Sequence, residues 1–485
     1  MSQVLKSKVK SSLIWSFADQ FVTQFIFIIF SIYLARILAP TAFGIIGLVT
    51  VFTNFAVLFI DMGFGAALVQ KKEAGNDYFS TVFWFNMIVG ALLYLLFFLF
   101  APLISTFYNE PELVLIIRVL CLTFIITSFT AVQSNLLVKD LNFKRKVVFN
   151  WIATLFGYGV AFYLTYFGYG VWAIVWMTLS TAFVNSILYW FGASWKPDFI
   201  FHWSKIKELS SFGFNVLGDT TINYWSRNYD NFIIGKVLGS SDLGIYARAY
   251  SLMMLPLRNI TSVFSKVLFP AFSKIQNDIP LIRMQYLRII QYIALITFPM
   301  MIGMSVVSRE FVLLFFGEKW SEMIPILSML SVLGAFQSLI SLNGLLYKSL
   351  GKANLAFKVS IWVNLILIIT FTVGVQYGIF GLTLGYLIVG SLIAIPVYSI
   401  AISLIGLSLL DVVKKLKSVI FAVIVMAAAI YCLHFITIES LLLLFIVKVS
   451  IGVIVYFSAL FAVDKKLIYE TGAMITPLFK KKNRL

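Results

Sequence analysis

The stretches SFGFNVLGDTTINYWSRNYDNFIIGK (residues 211–236) and LGIYARAYSLMMLPLRNITSVFSKVLFPAFS (residues 243–273) are each long enough to cross a bilayer, and both carry charge. The first holds Asp219, Arg227 and Asp230; the second holds Arg248, Arg258 and Lys266. A charge at the centre of a transmembrane helix costs at least about 2.5–3.5 kcal/mol, so it persists chiefly where it faces a wet, protein-lined cavity. At about 100° per residue, Asn215, Asp219, Asn223, Ser226, Arg227 and Asp230 fall within an arc of about 120°. Arg248, Ser251, Arg258, Asn259, Ser262 and Lys266 share an arc of about 100° on the second helix. Two adjacent helices, each with one charge-bearing face, predict the walls of a transport pathway.

The rest of the chain supplies the membrane context. Of its 485 residues 61% are hydrophobic and 12% charged, with mean hydropathy +0.97. A soluble domain is nearer about 45–50% apolar and about 25% charged. This composition predicts an all-α polytopic membrane protein. Apolar runs of about 20 residues between short polar breaks exclude a β-barrel, whose strands alternate every residue. Fourteen spans are expected, at about 12–35, 42–64, 80–102, 112–137, 147–167, 170–192, 211–236, 243–270, 284–307, 322–347, 355–376, 379–404, 417–435 and 441–462. The first run contains Asp19 and Gln20 and lacks a small-residue cleavage motif, so it reads as a span and not as a signal peptide.

A net charge of +17 raises nucleic acid as a partner, but its distribution argues against that class. With both termini cytoplasmic, 27 of the 37 basic residues fall on the inner side. Only Arg36, Lys236, Arg309 and Lys319 fall in outer loops, and the other six lie within spans. That asymmetry fixes orientation by the positive-inside rule and adds attraction to the anionic headgroups of the phospholipid bilayer. Cys121 and Cys432 lie inside spans four and thirteen, where core packing is the expected role for both.

An internal repeat is visible. Ala35-Arg36-Ile37-Leu38 and Phe43-Gly44-Ile45 recur 200 residues later as Gly235-Lys236-Val237-Leu238 and Leu243-Gly244-Ile245. Leu136-Leu137-Val138-Lys139 matches Leu345-Leu346-Tyr347-Lys348, and Gly170-Val171-Trp172 matches Gly378-Ile379-Phe380, at offsets of up to 209. Equivalent helices separated by an even number of spans run in the same direction. The pattern predicts a parallel duplication: a six-helix lobe over 1–195, a second over 196–410, and two additional spans with a basic tail over 411–485. In such duplications the binding site is expected between the halves, near the midplane.

The stretch Trp15-Ser16-Phe17, Tyr33-Leu34-Ala35-Arg36-Ile37-Leu38-Ala39-Pro40 and Phe43-Gly44 resembles the first helix and turn of the polysaccharide-transporter family. So do Asp61-Met62-Gly63-Phe64-Gly65, Ala67-Leu68-Val69-Gln70-Lys71-Lys72 and Leu243-Gly244-Ile245-Tyr246-Ala247-Arg248-Ala249-Tyr250. The resemblance covers nearly the whole chain. It implies membership of the multidrug/oligosaccharidyl-lipid/polysaccharide exporter superfamily. It further implies a flippase for undecaprenyl-diphosphate-linked oligosaccharides in the bacterial inner membrane, with a cationic cavity and alternating access. Whether such a protein docks with a polysaccharide polymerase is left open. A cationic lumen suits a diphosphate, which arginine binds bidentately.

For Arg227, Arg248 and Arg258 two readings stand: binding of a diphosphate or sugar carboxylate, or a structural ion pair such as Arg227 with Asp230 or Asp219 with Arg258. Asn223 and Asn259 share the same faces, and Arg118 in span four extends the cavity if it faces inward. Asp219 is either a coupling-ion site or a counter-ion to the arginines, with Asp230 about three turns away on the same face. Asp19 and Asp61, near the cytoplasmic ends of spans one and two, either form an inner gate or cap neighbouring helices. Lys266 and Lys448 are expected to snorkel to headgroups. Tyr158, Tyr163, Tyr166, Tyr169, Trp172 and Trp176 read mainly as interfacial belt. His202 and His434 are far apart in the topology, and no metal site, cofactor motif or nucleophile elbow is expected.

The leading expectation is therefore a non-enzymatic flippase. A cation-coupled multidrug-type exporter would favour an acidic, aromatic cavity, whereas the deep charges here are mostly basic. A membrane glycosyltransferase would present acidic cytoplasmic loops for Mg²⁺, and a polymerase a large outer loop; the cytoplasmic loops are basic and the outer ones short.

Overall fold

The computed structural model describes residues 3–71, 74–192, 195–433 and 439–469. Among these residues the regular structure is entirely helical. The chain forms two compact units, Met1–Gly244 and Ile245–Leu485.

The first unit contains α1 (Gln3–Ile37), α2 (Pro40–Asp61), α3 (Phe64–Gln70), α4 (Asn76–Tyr108), α5 (Leu113–Leu120), α6 (Leu122–Ser128), α7 (Ala131–Lys139), α8 (Phe143–Tyr166), α9 (Trp172–Gly192) and α10 (Trp203–Val237). α11 (Ser240–Lys274) begins at the end of this unit and continues into the second. There follow α12 (Ile279–Val306), α13 (Ser308–Phe315), α14 (Met323–Ile340), α15 (Asn343–Ser349), α16 (Ala353–Gly374), α17 (Gly378–Ser403), α18 (Leu409–Cys432) and α19 (Leu441–Val463).

Among the described residues ten helical stretches are long and apolar enough to cross a membrane, or eleven if Leu113–Ser128 and Ala131–Lys139, bent by 43°, form one span. That is fewer than the fourteen expected, for two physical reasons. The charges on α10 and α11 keep both outside the apolar set, and the 51-residue stretch Ala353–Ser403 is one apolar run holding both α16 and α17. The protein is a multi-pass, all-helical membrane protein.

Within the first unit, the start of α2 meets the start of α11 at the repeat glycines. A Cβ on Gly44 would lie 1.6 Å from the Ser240 carbonyl oxygen, and one on Gly244 would lie 2.0 Å from that of Pro40. The contact is reciprocal at the 200-residue offset, and only glycine lets the two backbones approach this closely.

The core of the second unit joins Ile282, Tyr286, Ile290 and Ile293 of α12 to Val419, Ala422 and Met426 of α18. Tyr456 of α19 donates its hydroxyl to the Leu295 carbonyl at 2.8 Å. The two last helices, expected as an added pair, thus pack directly on α12. α18 is well started: Ser408 and Asp411 form a capping box that satisfies two otherwise unpaired backbone N–H groups. Cys121 is buried as expected, but Cys432 is exposed and packs in no core.

Candidate functional site

Asp61 ends α2. The next two residues, Met62 (φ 45°) and Gly63 (φ 77°), are left-handed and turn the chain sharply into α3. The Asp61 carboxylate then accepts the Gly65 backbone N–H at 3.0 and 3.1 Å, capping α3. Asn135 of α7 donates its amide to the same carboxylate at 3.4 Å. A Cβ on Gly65 would lie 2.1 Å from the Asn135 amide nitrogen and 2.8 Å from the Asp61 oxygen, so the Asp-Met-Gly-Phe-Gly run is shaped by this cap. The capping alternative for Asp61 is realised.

The same carboxylate lines a cavity of about 630 Å³ inside the first unit. Thr130 and Asn135 contribute from the α6–α7 bend, and Thr178, Thr181 and Asn185 from α9. The Asn185 side-chain oxygen is buried and has no hydrogen-bond partner. Tyr158, expected in the interfacial belt, lines this cavity instead and stacks on Phe30 at 4.3 Å. Tyr163, Tyr166, Tyr169 and Trp176 are exposed, as a belt requires. Sequence reasoning missed the cavity, although Thr178, Thr181 and Asn185 recur at helical spacing in an apolar span. The stripe carries no charge, and charge was the signal followed.

Aromatic side chains anchor the middle of α10. Tyr224 donates to the Val51 carbonyl at 2.6 Å, Trp225 packs on Phe55, and Phe232 packs on Phe52 and Phe107. Arg227 and Asn223 are exposed, and among the described residues Arg227 forms no ion pair. Asp230 is only 5% exposed. The suggested Arg227–Asp230 pair is therefore not formed. The side chains of Asp219, Asn215 and Lys266 lie outside the described residues, as does His434. On α11, Arg258 is exposed and without an ion pair among the described residues, while Arg248 and Asn259 are half-buried. Arg227 belongs to the first unit, Arg248 and Arg258 to the second.

Other expected site residues are engaged elsewhere. Asp19 accepts from the Trp151 indole at 2.9 Å and from the Thr23 hydroxyl at 3.0 Å, tying α1 to α8. The Arg118 guanidinium lies 4.4 Å from the Phe98 ring centroid on α4 and donates to the Phe98 carbonyl at 3.4 Å. Lys448 does not snorkel. It is 4% exposed and bonded at 2.8 Å to Glu310, itself 2% exposed, because α19 packs on α13. Among the described residues no group of three or more His, Cys, Asp or Glu side chains is placed to hold a metal.

The first turns of α10 and the residues just before it are tied to the end of α3 and to α4. Lys71 bonds Glu208, Tyr78 donates to Glu208 at 2.7 Å, Lys205 pairs with Asp77 at 2.7 Å, and the Trp84 indole donates to the Asp198 carbonyl at 2.8 Å. The hydrogen bonds from Lys71 and Tyr78 hold the Glu208 carboxyl below the usual carboxylate range, and the bond to Glu208 raises the Lys71 ammonium above its ordinary value.

Residues 33–325 match the model of a family described as polysaccharide biosynthesis protein. The teichuronic acid biosynthesis protein TuaB of Bacillus subtilis (strain 168) is 34% identical over 310 residues, covering 63% of this chain and 64% of its own length. The lipopolysaccharide biosynthesis protein WzxC of Escherichia coli (strain K12) is 28% identical, covering 79% of each chain. Among solved structures, the lipid II flippase MurJ in an inward closed conformation matches with TM-score 0.77 at 15% identity, over 94% of this chain and 100% of that one. A multidrug resistance MATE family transporter of the MOP superfamily, in an inward-facing conformation, matches with TM-score 0.62 at 16% identity, over 81% of this chain and 94% of that one. At these identities the structural likeness concerns the fold.

Proposed function

This chain belongs to the polysaccharide biosynthesis protein family, and from that premise we propose that it flips undecaprenyl-diphosphate-linked oligosaccharide repeat units across the bacterial cytoplasmic membrane. It does so by alternating access, without chemical conversion, for surface polysaccharide assembly. The names of the relatives, which concern teichuronic acid and lipopolysaccharide biosynthesis, support a surface glycan as cargo. The observation that carries the reading is the exposure of Arg227 and Arg258 with no ion pair among the described residues. An arginine without a carboxylate partner keeps its planar fork free for an incoming diphosphate.

In the full proposal α10 and α11 count as spans, giving fourteen with both termini cytoplasmic, in duplicated lobes over 1–195 and 196–410 and a final pair over 411–485. Arg248, Arg118, Asn223 and Asn259 assist binding. Asp219, Asp230, Asp61 and Asp19 serve ion coupling or gating. The flipped unit passes to a polysaccharide polymerase at the outer face.

Equilibrium binding to the purified protein tests the diphosphate claim. The same glycan on undecaprenyl diphosphate and on undecaprenol is compared for the wild type and Arg227→Gln. The expected result is a preference for the diphosphate that Arg227→Gln removes. Equal binding of the two lipids by the wild type would overturn it.

A further inference from the structure

We propose that the cavity beside Asp61 is a subsite for an uncharged sugar residue of the glycan cargo. A sugar hydroxyl both gives and accepts hydrogen bonds, so a site for it must offer donors and acceptors together. This wall offers both. Thr130 donates its hydroxyl to the Thr127 and Ile126 carbonyls at 3.0 and 3.1 Å, Thr178 to Ile174 at 2.9 Å, and Thr181 to Met177 at 2.7 Å. Those three oxygens are left as acceptors. The Ser134 hydroxyl faces that of Tyr189, which donates to the Asn150 side-chain oxygen at 2.8 Å. The Thr127 and Thr154 hydroxyls donate to no protein group among the described residues, so their hydrogens are available. Asn185 is open at both ends: its side-chain oxygen is buried without a partner, and its amide hydrogens meet no protein acceptor among the described residues. Leaving such a group unpaired costs free energy, which a ligand that gives and takes a hydrogen bond there recovers.

The rest of the wall suits the apolar side of a sugar ring. Ile126, Ala131, Met177 and Ala182 line it, with Tyr158 stacked on Phe30 behind. A volume of about 630 Å³ lies within the range of about 300–1,000 Å³ common to small-molecule pockets. Charge narrows the ligand further. No Lys or Arg lines the cavity, and Asp61, the one carboxylate in its wall, is already held by the Gly65 N–H and the Asn135 amide. A fixed negative charge with no cation beside it repels a diphosphate and any acidic sugar. The two parts of the cargo are thus read by different groups, the diphosphate by exposed arginine and an uncharged sugar by this neutral set of hydroxyls and amides.

The inference rests on the flippase reading and names what this cavity takes from the cargo. The full chain is purified into lipid nanodiscs. Its affinity is measured for bare undecaprenyl diphosphate and for the same lipid carrying glucose, galactose or N-acetylglucosamine. The wild type should bind at least one glycosylated lipid about tenfold more tightly than the bare one. Asn185→Leu, which severs no hydrogen bond between protein groups, should bring that ratio to about one. Thr154→Val, which removes a hydroxyl and keeps the shape, should lower it about threefold, and it decides the matter if Asn185→Leu does not fold. Arg227→Gln should weaken every lipid by the same factor and keep the ratio. A wild-type ratio near one for all three sugars, or an unchanged ratio in the folded cavity variants, would overturn the proposal and leave the flippase reading standing. Failure of the wild type to bind any of these lipids would overturn both.

Discussion

Lys448 and Arg227 each place one positive charge on a long helix of the same chain, and their surroundings are opposite. Lys448 is buried on α19 and bonded to Glu310 at 2.8 Å, with the second Glu310 oxygen left without a partner. Arg227 stands exposed on α10, while Trp225 and Phe232, which pack that helix on Phe55 and Phe52, lie on its other side. A charge within apolar sequence therefore does not by itself mark a binding site. Its partner decides: a charge consumed by a buried carboxylate holds helices together, and a charge without one is available to a ligand.

The largest effect is expected at the buried pair. Lys448→Met leaves Glu310 buried and alone, and breaking such a pair costs about 3–5 kcal/mol. Monodisperse protein in detergent should fall sharply on mild heating, and combining Lys448→Met with Glu310→Leu should restore most of it. An unchanged melting temperature in Lys448→Met would break the comparison.

Next comes the cap at Asp61, a charge satisfied by backbone. Gly65→Ala drives a methyl against the Asp61 and Asn135 side chains, and overpacking of this kind costs about 1–3 kcal/mol. A lowered melting temperature with faster amide exchange in α3 is the expected outcome.

Arg227→Gln and Arg258→Gln sharpen the contrast from the other side. Substitutions at exposed positions without partners usually change stability by no more than about 0.5 kcal/mol. Glycan transport should nevertheless fall at least about tenfold, equivalent to about 1.4 kcal/mol. Lysine at either position should recover part of the rate, since it keeps the charge and loses the fork. Loss of folded protein in the glutamine variants would assign these arginines a structural role.

The smallest effect concerns the exposed Lys71–Glu208 pair. Glu208 has its carboxyl pKa depressed in the folded state, so its contribution is present above the ordinary carboxylate value and is lost as pH falls through the folded one. Lys71 is raised, so its contribution is present below the ordinary lysine value and is lost as pH rises through the folded one. Hydrogen-exchange protection across residues 195–208, taken relative to the intrinsic rate at each pH, should be flat near neutrality and should fall only at the acidic and alkaline extremes.

Composition and periodicity made the membrane class legible; the repeat at Gly44 and Gly244 was legible too, but not the reciprocal backbone approach that the structure places there. The span count was less legible, because the charges that drew attention to α10 and α11 are what remove them from the apolar set. At the site, helical spacing put Arg227 and Asp230 on one face, yet Arg227 is exposed and Asp230 buried, a difference set by neighbours and not by periodicity. Nor do the partners of Lys448, Asp19 and Arg118 follow from spacing, since Glu310, Trp151 and Phe98 are brought to them by tertiary packing. The polar cavity was written in the α9 sequence as a threonine and asparagine stripe, a weaker signal than charge.

The central claim is tested most directly by reconstituting the protein into liposomes with fluorescent undecaprenyl-diphosphate-linked glycan on one leaflet and timing its arrival on the other. Protein-dependent arrival is predicted for the wild type and Lys448→Met/Glu310→Leu, with Arg227→Gln and Arg258→Gln close to protein-free vesicles. Arrival at wild-type rate in folded Arg227→Gln and Arg258→Gln, or no arrival with the wild type across a panel of such glycans, would contradict it.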